Sequence, residues 1–364
     1  MRKSFKYRLF TNKHQEDKLL KLLNAGRYLY NNALEHRIIC YKDYRKSVSY
    51  YEQAKALKEI RAFDKDIAEL NCWCCQNILR NLDKAFQAFF RRLKSGEKPG
   101  FPRFKSADRF HSLTFTIGDG VKLKNNKLYI QNVGYIRINL HRDIFGKIKT
   151  VTIKHENYYF YAIFSCEDIP MVNPPKTYKE IGIDVGIKSF ATLSNGEIIE
   201  NPKYLKKAED KLKSVQSKYS KKKSKKVKRQ LIALHTKIAN QRKDFQHKLS
   251  RKIINEYDYI YIEKLKPKDM NSRYKVLNKF INDAAWSQFF NMLVYKAEEA
   301  GRQVIKIEPK NTTQACSNCG KIIPKDLSIR IHSCSCGLTI DRDINAAINI
   351  LRLGHSLCFE QEAV

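Results

Sequence analysis

The sequence predicts an α+β protein of more than one domain. Three observations carry that reading: 364 residues with 43% hydrophobic side chains, a change from helical to alternating hydrophobic period near residue 97, and a fresh start after a Pro-rich linker. A chain of this length fills two or three cores. Charge is the strongest bulk signal, with 70 Lys and Arg against 37 Asp and Glu, a formal +33. An excess of that size calls for a polyanionic partner. Nucleic acid fits better than membrane. No stretch approaches the roughly 18 apolar residues of a spanning helix, and MRKSFKYRLF lacks the apolar run of a signal peptide. Ten cysteines without a secretory signal imply a reducing compartment, where a tight Cys cluster binds metal more often than it oxidises.

Lys6 to Phe10 reads as an opening strand. From Asn12 a helical pattern aligns Leu19, Leu20, Leu23, Tyr28, Leu29, Ala33 and Leu34, with capping-type residues ahead of it. YYEQAKALKEIRAF continues the helical region. CWCCQNILRNLDKAFQAFFRRLKSG places Leu79, Leu82, Phe86, Phe89 and Leu93 on one side and ends on Gly96. Pro99, Gly100 and Pro102 then break the pattern. Between Ser112 and Phe164 the period is two, in LTFTI, LYI, YIRINL, KTVTI and YYFYAIF. That predicts a small antiparallel β-domain which the opening strand rejoins.

After the linker NPPK, IGIDVGIKSFATLSNGEIIE predicts strands with a hairpin turn at Ser194-Asn195-Gly196. Residues 203–256 predict long, charged helix, in which eight of the twelve residues from Lys218 to Arg229 are basic. YDYIYIEKL predicts a strand ending in an acid, AAWSQFFNMLVYKAEEAG an amphipathic helix, RQVIKIEP a strand and DRDINAAINIL a final helix. LGHSLCFEQEAV shows no clear pattern, and Cys358 within it has no assigned role.

Two groups of residues carry chemistry. Cys316 and Cys319 form a knuckle followed by Gly320, and Cys334 and Cys336 follow after a gap of fourteen residues. Four thiolates at that spacing predict a closed structural Zn²⁺ site. The second pair is C-x-C rather than C-x-x-C, which leaves His332 as an alternative fourth ligand. Cys72-Trp-Cys-Cys75 has no partner pair nearby and reads as packing.

The second group is acidic. Asp184 lies inside an apolar strand, where a carboxylate is costly unless it faces a site or a cation. Glu263 ends a similar strand, and Asp341 and Asp343 open a helix, where an Asp also serves as an N-cap. Together the acids fit a site in which three carboxylates hold two Mg²⁺ ions for hydrolysis of a phosphodiester. The lysine tract is then a phosphate-contact candidate. Phe101, Phe104, Tyr158, Tyr159 and Tyr161 are candidates for stacking on bases.

These pieces stand in a recognisable order: YRLF, GRYLYNNALEHR, FFRRLKSGEKPGFPRFK, GIDVGIKSFATLS, DFQHKLSRKIINEYDYIYIEKL, NTTQACSNCG and DRDINAAINI. Across roughly residues 1 to 352 the chain resembles the TnpB family of transposon-encoded, RNA-guided nucleases, relatives of type V CRISPR effectors. The resemblance implies a β-barrel (wedge) domain over 1–10 and 97–172, interrupted by a helical recognition domain over 11–96. An RNase H-like (RuvC) nuclease domain is implied over 177–310 and 339–352, with a zinc ribbon at 311–338 and a tail from 353 to 364. It assigns the catalytic, Mg²⁺-binding acids to Asp184, Glu263 and Asp343, the last chosen over Asp341 because it stands two residues ahead of Asn345. It assigns Zn²⁺ to Cys316, Cys319, Cys334 and Cys336.

The same resemblance implies a guide RNA from the transposon end and cleavage of double-stranded DNA beside a short flanking motif. It also implies a cytoplasmic, nucleoid-associated, prokaryotic setting. Two other functions share the frame. An RNA-guided DNA-binding repressor would be marked by loss of an acid, and none is missing here. A transposase would use the same acids to join DNA ends.

Overall fold

The computed structural model describes residues 2–170, 174–264, 275–308, 311–326 and 329–362. It divides into two compact units, Met1–Pro170 and Met171–Val364.

Unit 1 opens with β1 (Lys3–Phe10), followed by α1 (Lys13–Tyr44), α2 (Tyr50–Phe63), α3 (Lys65–Ala68) and α4 (Cys72–Lys94). Capping boxes set two of the helix starts, Asn12 with Gln15 and Ser49 with Glu52, each pair satisfying two otherwise orphaned N–H groups. Six strands complete the unit: β2 (Ser112–Thr116), β3 (Val121–Lys124), β4 (Lys127–Ile130), β5 (Gly134–Ile138), β6 (Lys147–Glu156) and β7 (Tyr159–Glu167). They join β1 in one barrel-like antiparallel sheet, ordered β2-β6-β7-β1-β5-β4-β3. The opening strand does rejoin the later ones, and sits between β7 and β5.

Alternation decides the inner face. Phe5, Tyr7 and Leu9 of β1 and Phe160, Ala162, Phe164 and Cys166 of β7 are buried. They form one core with Leu19, Leu22 and Leu29 of α1 and Ile78, Leu79 and Leu82 of α4. Cys74 and Cys75 belong to this core, and burial pushes the Cys75 thiol up to about 11. These two pack, as their sequence context predicts, whereas Cys72 at the start of the motif is exposed.

Unit 2 begins with β8 (Glu180–Asp184), β9 (Ser189–Leu193) and β10 (Ile198–Glu200). Next come α5 (Tyr204–Lys207), α6 (Glu209–Lys221), α7 (Lys225–Glu256), β11 (Tyr259–Glu263), α8 (Lys275–Ala284), α9 (Trp286–Ala300) and β12 (Gln303–Ile307). A hairpin, β13 (Ile331–Ser333) and β14 (Thr339–Asp341), precedes α10 (Arg342–Glu362).

The sheet order is β10-β9-β8-β11-β12. β8, β9 and β10 are antiparallel neighbours, whereas β11 lies parallel to β8 and to β12. Central parallel strands are covered on both faces and therefore read as nearly continuous apolar runs. Ile181, Ile183, Ile260 and Ile262 face α7 and α9, in a core with Ile253, Phe289 and Leu293. On the opposite face Tyr261 packs with Ile307 and with Ile350 of α10.

Two features differ from the sequence reading. The segment from 353 onward continues α10 to Glu362 rather than forming a patternless tail. The β13–β14 hairpin was not expected from its sequence. Among the described residues, no helix is long and apolar enough to cross a membrane.

Candidate active site and cysteine module

β8 and β11 both end in an acid at the same edge of the unit 2 sheet. Ile183 pairs with Ile262, so Asp184 and Glu263 follow side by side on neighbouring strands. Side chains two apart share a face, which puts Asp184 on the face of Gly182. There α10 lies directly against the strand. A methyl group on Gly182 would stand 2.7 Å from the Leu351 amide nitrogen, and closer still to the Ala347 carbonyl oxygen. Gly354 makes the matching allowance on the helix, because any side chain there would collide with the Tyr261 ring on β11. Two glycines thus let α10 seat on β8 and β11 with Asp343 in its first turn.

The electrostatics register the convergence. Asp184 is held well above the usual carboxylate range, first by burial and then by the charges of Glu263 and Asp343. Burial also pushes Glu263 up, against the Thr312 hydroxyl, which donates to Glu263 Oε1 at 2.6 Å. Arg342 donates from Nε and Nη2 to Asp343 Oδ1, both at 3.2 Å, and from Nη1 to the Ile329 carbonyl at 3.1 Å. Asp341 has a different task. Its Oδ1 accepts from the Asp343 N–H at 2.8 Å and caps α10.

The four cysteines meet. Cys316 Sγ lies 3.6 Å from Cys336 Sγ, Cys319 Sγ lies 3.5 Å from Cys334 Sγ, and all four sulfurs fall within 4.8 Å of one another. A tetrahedral zinc with bonds of about 2.3 Å needs sulfurs about 3.8 Å apart, so the set fits that ion. Each pair is followed by a glycine with left-handed backbone, Gly320 at φ 77° and Gly337 at φ 89°, which turns the chain back. The β13–β14 hairpin makes the C-x-C spacing workable. Cys334 N–H donates to the Leu338 carbonyl at 3.0 Å across its tip. Hydrogen bonds from the Leu338 N–H and the Asn318 amide push the Cys336 thiol down to about 6, whereas the Cys319 thiol, despite a hydrogen bond from the Lys321 backbone, is raised by the sulfurs crowded around it. His332 is buried beside Lys325 and stands outside the four-sulfur group.

Five residues of this region escaped the sequence reading as functional: Gly182, Gly354, Thr312, Asn345 and Asn349. The two asparagines are four apart, on one side of α10, and both are buried. Asn345 accepts from the Ser317 N–H at 2.9 Å and donates to the Ala315 carbonyl at 2.8 Å. Asn349 donates to the Ala315 and Thr312 carbonyls at 2.7 and 2.9 Å. Together they fasten the first cysteine knuckle to the helix that carries Asp343.

The basic tract lies on exposed surface at the break between α6 and α7. In unit 1, Phe101, Phe104, Tyr158 and Tyr159 are exposed and Tyr161 is half-buried. The Arg8 guanidinium stacks 3.8 Å from the Tyr159 ring centroid, and the Lys6 ammonium lies 4.1 Å from that of Tyr161.

Known proteins resemble this chain along most of its length. Residues 286–350 match the family described as "Cas12f1-like, TNB domain" and residues 159–273 that described as "Probable transposase". Residues 1–46 match a "Helix-turn-helix domain", although here they form β1 and the single long α1. A "Putative RNA-guided DNA endonuclease" of Streptomyces pristinaespiralis is 30% identical over 97% of this chain and 90% of its own length. The chain belongs to the TnpB family. Other similar proteins include the "Putative RNA-guided DNA endonuclease InsQ" of Escherichia coli (strain K12), 29% identical over 97% of this chain and 92% of its own length. "TnpB-like protein L79" of Acanthamoeba polyphaga mimivirus is 31% identical over 59% of this chain and 45% of its own. Among solved structures, the mini-RNA-guided endonuclease CRISPR-Cas_phi3 aligns with a TM-score of 0.50 at 9% identity, over 97% of this TnpB-family chain and 92% of its own. That likeness concerns the fold alone.

Proposed function

We propose that this TnpB-family chain is a transposon-encoded, RNA-guided DNA endonuclease that hydrolyses double-stranded DNA next to a short flanking motif. The observation that carries this reading is the meeting of Asp184, Glu263 and Asp343 at one edge of the unit 2 sheet, in a chain whose full-length relatives bear that activity in their names. The strand order β10-β9-β8-β11-β12, antiparallel on one side of β8 and parallel on the other, supports an RNase H-like (RuvC) domain over 177–310 and 339–352. The cysteine module supports a zinc ribbon at 311–338. In unit 1, the sheet and helices support a wedge barrel over 1–10 and 97–172 with a helical recognition domain over 11–96.

Asp184, Glu263 and Asp343 would hold Mg²⁺. Burial, followed by the charges of Glu263 and Asp343, raises Asp184, and burial raises Glu263, which leaves a deficit of positive charge that divalent cations would satisfy. Asp184 and Glu263 close neighbouring strands and Asp343 opens the helix laid against them, so three carboxylates would be available to share divalent cations. When bound, the two ions supply Lewis-acid stabilisation of the attacking and leaving oxygens of an in-line phosphodiester displacement.

The protein's own groups do the rest. The apolar strands behind Asp184 and Glu263 keep the site dry on one side, which strengthens every charge interaction there. Arg342 steadies the Asp343 carboxylate, and the Lys218–Arg229 tract binds phosphates without reading sequence. Guide–target pairing reads the sequence, while the protein senses duplex shape and the flanking motif. The family description "Probable transposase" favours one second reading, strand transfer by the same acids without RNA.

Expressing the chain with its flanking genomic DNA and sequencing the RNA that co-purifies tests the proposal. A single RNA species that ends in sequence beyond the transposon boundary is the expected result. A preparation that carries no discrete RNA, yet retains site-specific activity, would favour the transposase.

A further inference from the structure

Glu263 is the acid whose side chain has the most freedom, since it has one more rotatable bond than Asp184 or Asp343 ahead of the same broad terminal torsion. One hydroxyl restrains it. Thr312 is only 4% exposed, and its Oγ1 donates to Glu263 Oε1 at 2.6 Å. A hydroxyl has one proton to give, and here it goes to the carboxylate. Thr312 is itself held from behind, because its carbonyl accepts from Asn349 Nδ2 at 2.9 Å. Asn349 lies on α10, six residues after Asp343, and the same amide reaches the Ala315 carbonyl beside Cys316. One buried residue therefore touches the acid of β11, while the helix that carries the acid of α10 supports it.

We propose that Thr312 is a positioning residue that fixes the Glu263 carboxylate for a divalent cation, and that Asn349 transmits to it the placement of α10 and the cysteine module. The inference rests on the reading of Asp184, Glu263 and Asp343 as a metal site. Groups that orient a metal ligand through a hydrogen bond typically change metal affinity about 10- to 100-fold when removed. Thr312→Val keeps the shape and deletes the donor. Thr312→Ser keeps the donor.

The test uses Mn²⁺ as the probe, on the full-length chain freed of nucleic acid by high salt, with free Mn²⁺ read by electron paramagnetic resonance. Asp184→Asn serves as the reference for loss of the site. Thr312→Val is expected to weaken Mn²⁺ binding about 10- to 100-fold, with Thr312→Ser within about threefold of wild type. If Thr312→Val does not fold, Thr312→Ala removes the same donor with less bulk. Wild-type Mn²⁺ affinity in the Val or Ala variant, or equal loss in the Ser variant, would overturn the role of the hydroxyl. Should Asp184→Asn itself bind Mn²⁺ like wild type, the metal-site reading fails rather than the positioning role alone.

Discussion

Gly182 offers a direct way to move one of the proposed catalytic acids without touching any of the three. In Gly182→Ala the new methyl would lie 2.7 Å from the Leu351 nitrogen and closer still to the Ala347 carbonyl, whereas ordinary contact begins at 3.4 Å. Both obstacles are backbone atoms, so no side chain can rotate away. Restoring contact to Leu351 alone requires a retreat of about 0.7 Å, and relief of the carbonyl brings it to about 1 Å. Overpacking of this kind costs about 1–3 kcal/mol. For a unit of this size that is a fall in Tm of roughly 2–12 °C. α10 carries Asp343, and a misplacement of about 1 Å at a reacting centre costs on the order of a hundredfold in rate. The assay is single-turnover cleavage of a matched plasmid by the protein–RNA complex, alongside thermal melting and target binding without divalent metal. The expected outcome is cleavage about a hundredfold slower with target binding largely retained. Gly100→Ala, whose methyl meets nothing within 4 Å, is the control. Wild-type cleavage and Tm in Gly182→Ala would refute the seating of α10 on β8.

Replacing Cys336 with Ser is expected to lower bound zinc, measured by elemental analysis, and to slow cleavage, because the module anchors α10 through Asn345 and Asn349; full activity in demonstrably zinc-free protein would break that link. Arg302 forms a buried ion pair with Asp258, which also accepts from the Thr177 and Tyr178 N–H groups at 2.9 and 2.8 Å. Arg302→Ala leaves that carboxylate uncompensated, at a cost of about 3–5 kcal/mol, and should lower Tm on the order of 10 °C. Asp184 makes stability depend on pH. Its folded pKa lies above the ordinary 3.8, so the folded state holds this proton more tightly, and the group's contribution is full below about pH 4 and lost as pH rises through the folded value. In melting experiments without metal, Asp184→Asn should therefore gain stability relative to wild type as pH rises toward neutral. Mg²⁺ should raise the Tm of wild type more than that of the variant.

Much of the fold is legible because its signals are local. Alternation in KSFKYRLF and YFYAIFSCE marks strands, and the stripe through Leu79 and Leu82 marks a helix packed on them. The acids announce themselves by breaking apolar runs, and the cysteines by spacing and trailing glycines. What stays hidden is relational. Gly182 reads as one more strand residue until a helix is found against it. Thr312 and Glu263 are 49 positions apart, and no periodicity links them. LGHSLCFEQEAV reads as patternless because Gly354 lowers helix propensity by about 1 kcal/mol; its reason for being there is the Tyr261 ring. The β13–β14 hairpin is likewise too short to show a period of its own.

Three carboxylates that cut DNA selected by a bound RNA are the core of the proposed function. The most direct measurement is cleavage of a matched and a mismatched plasmid in Mg²⁺ by the protein purified with its own RNA, for wild type and Asp184→Ala, before and after RNase treatment. The expected result is a cut in the matched plasmid by wild type alone, abolished by RNase. Site-specific cutting that survives either Asp184→Ala or RNase would contradict it.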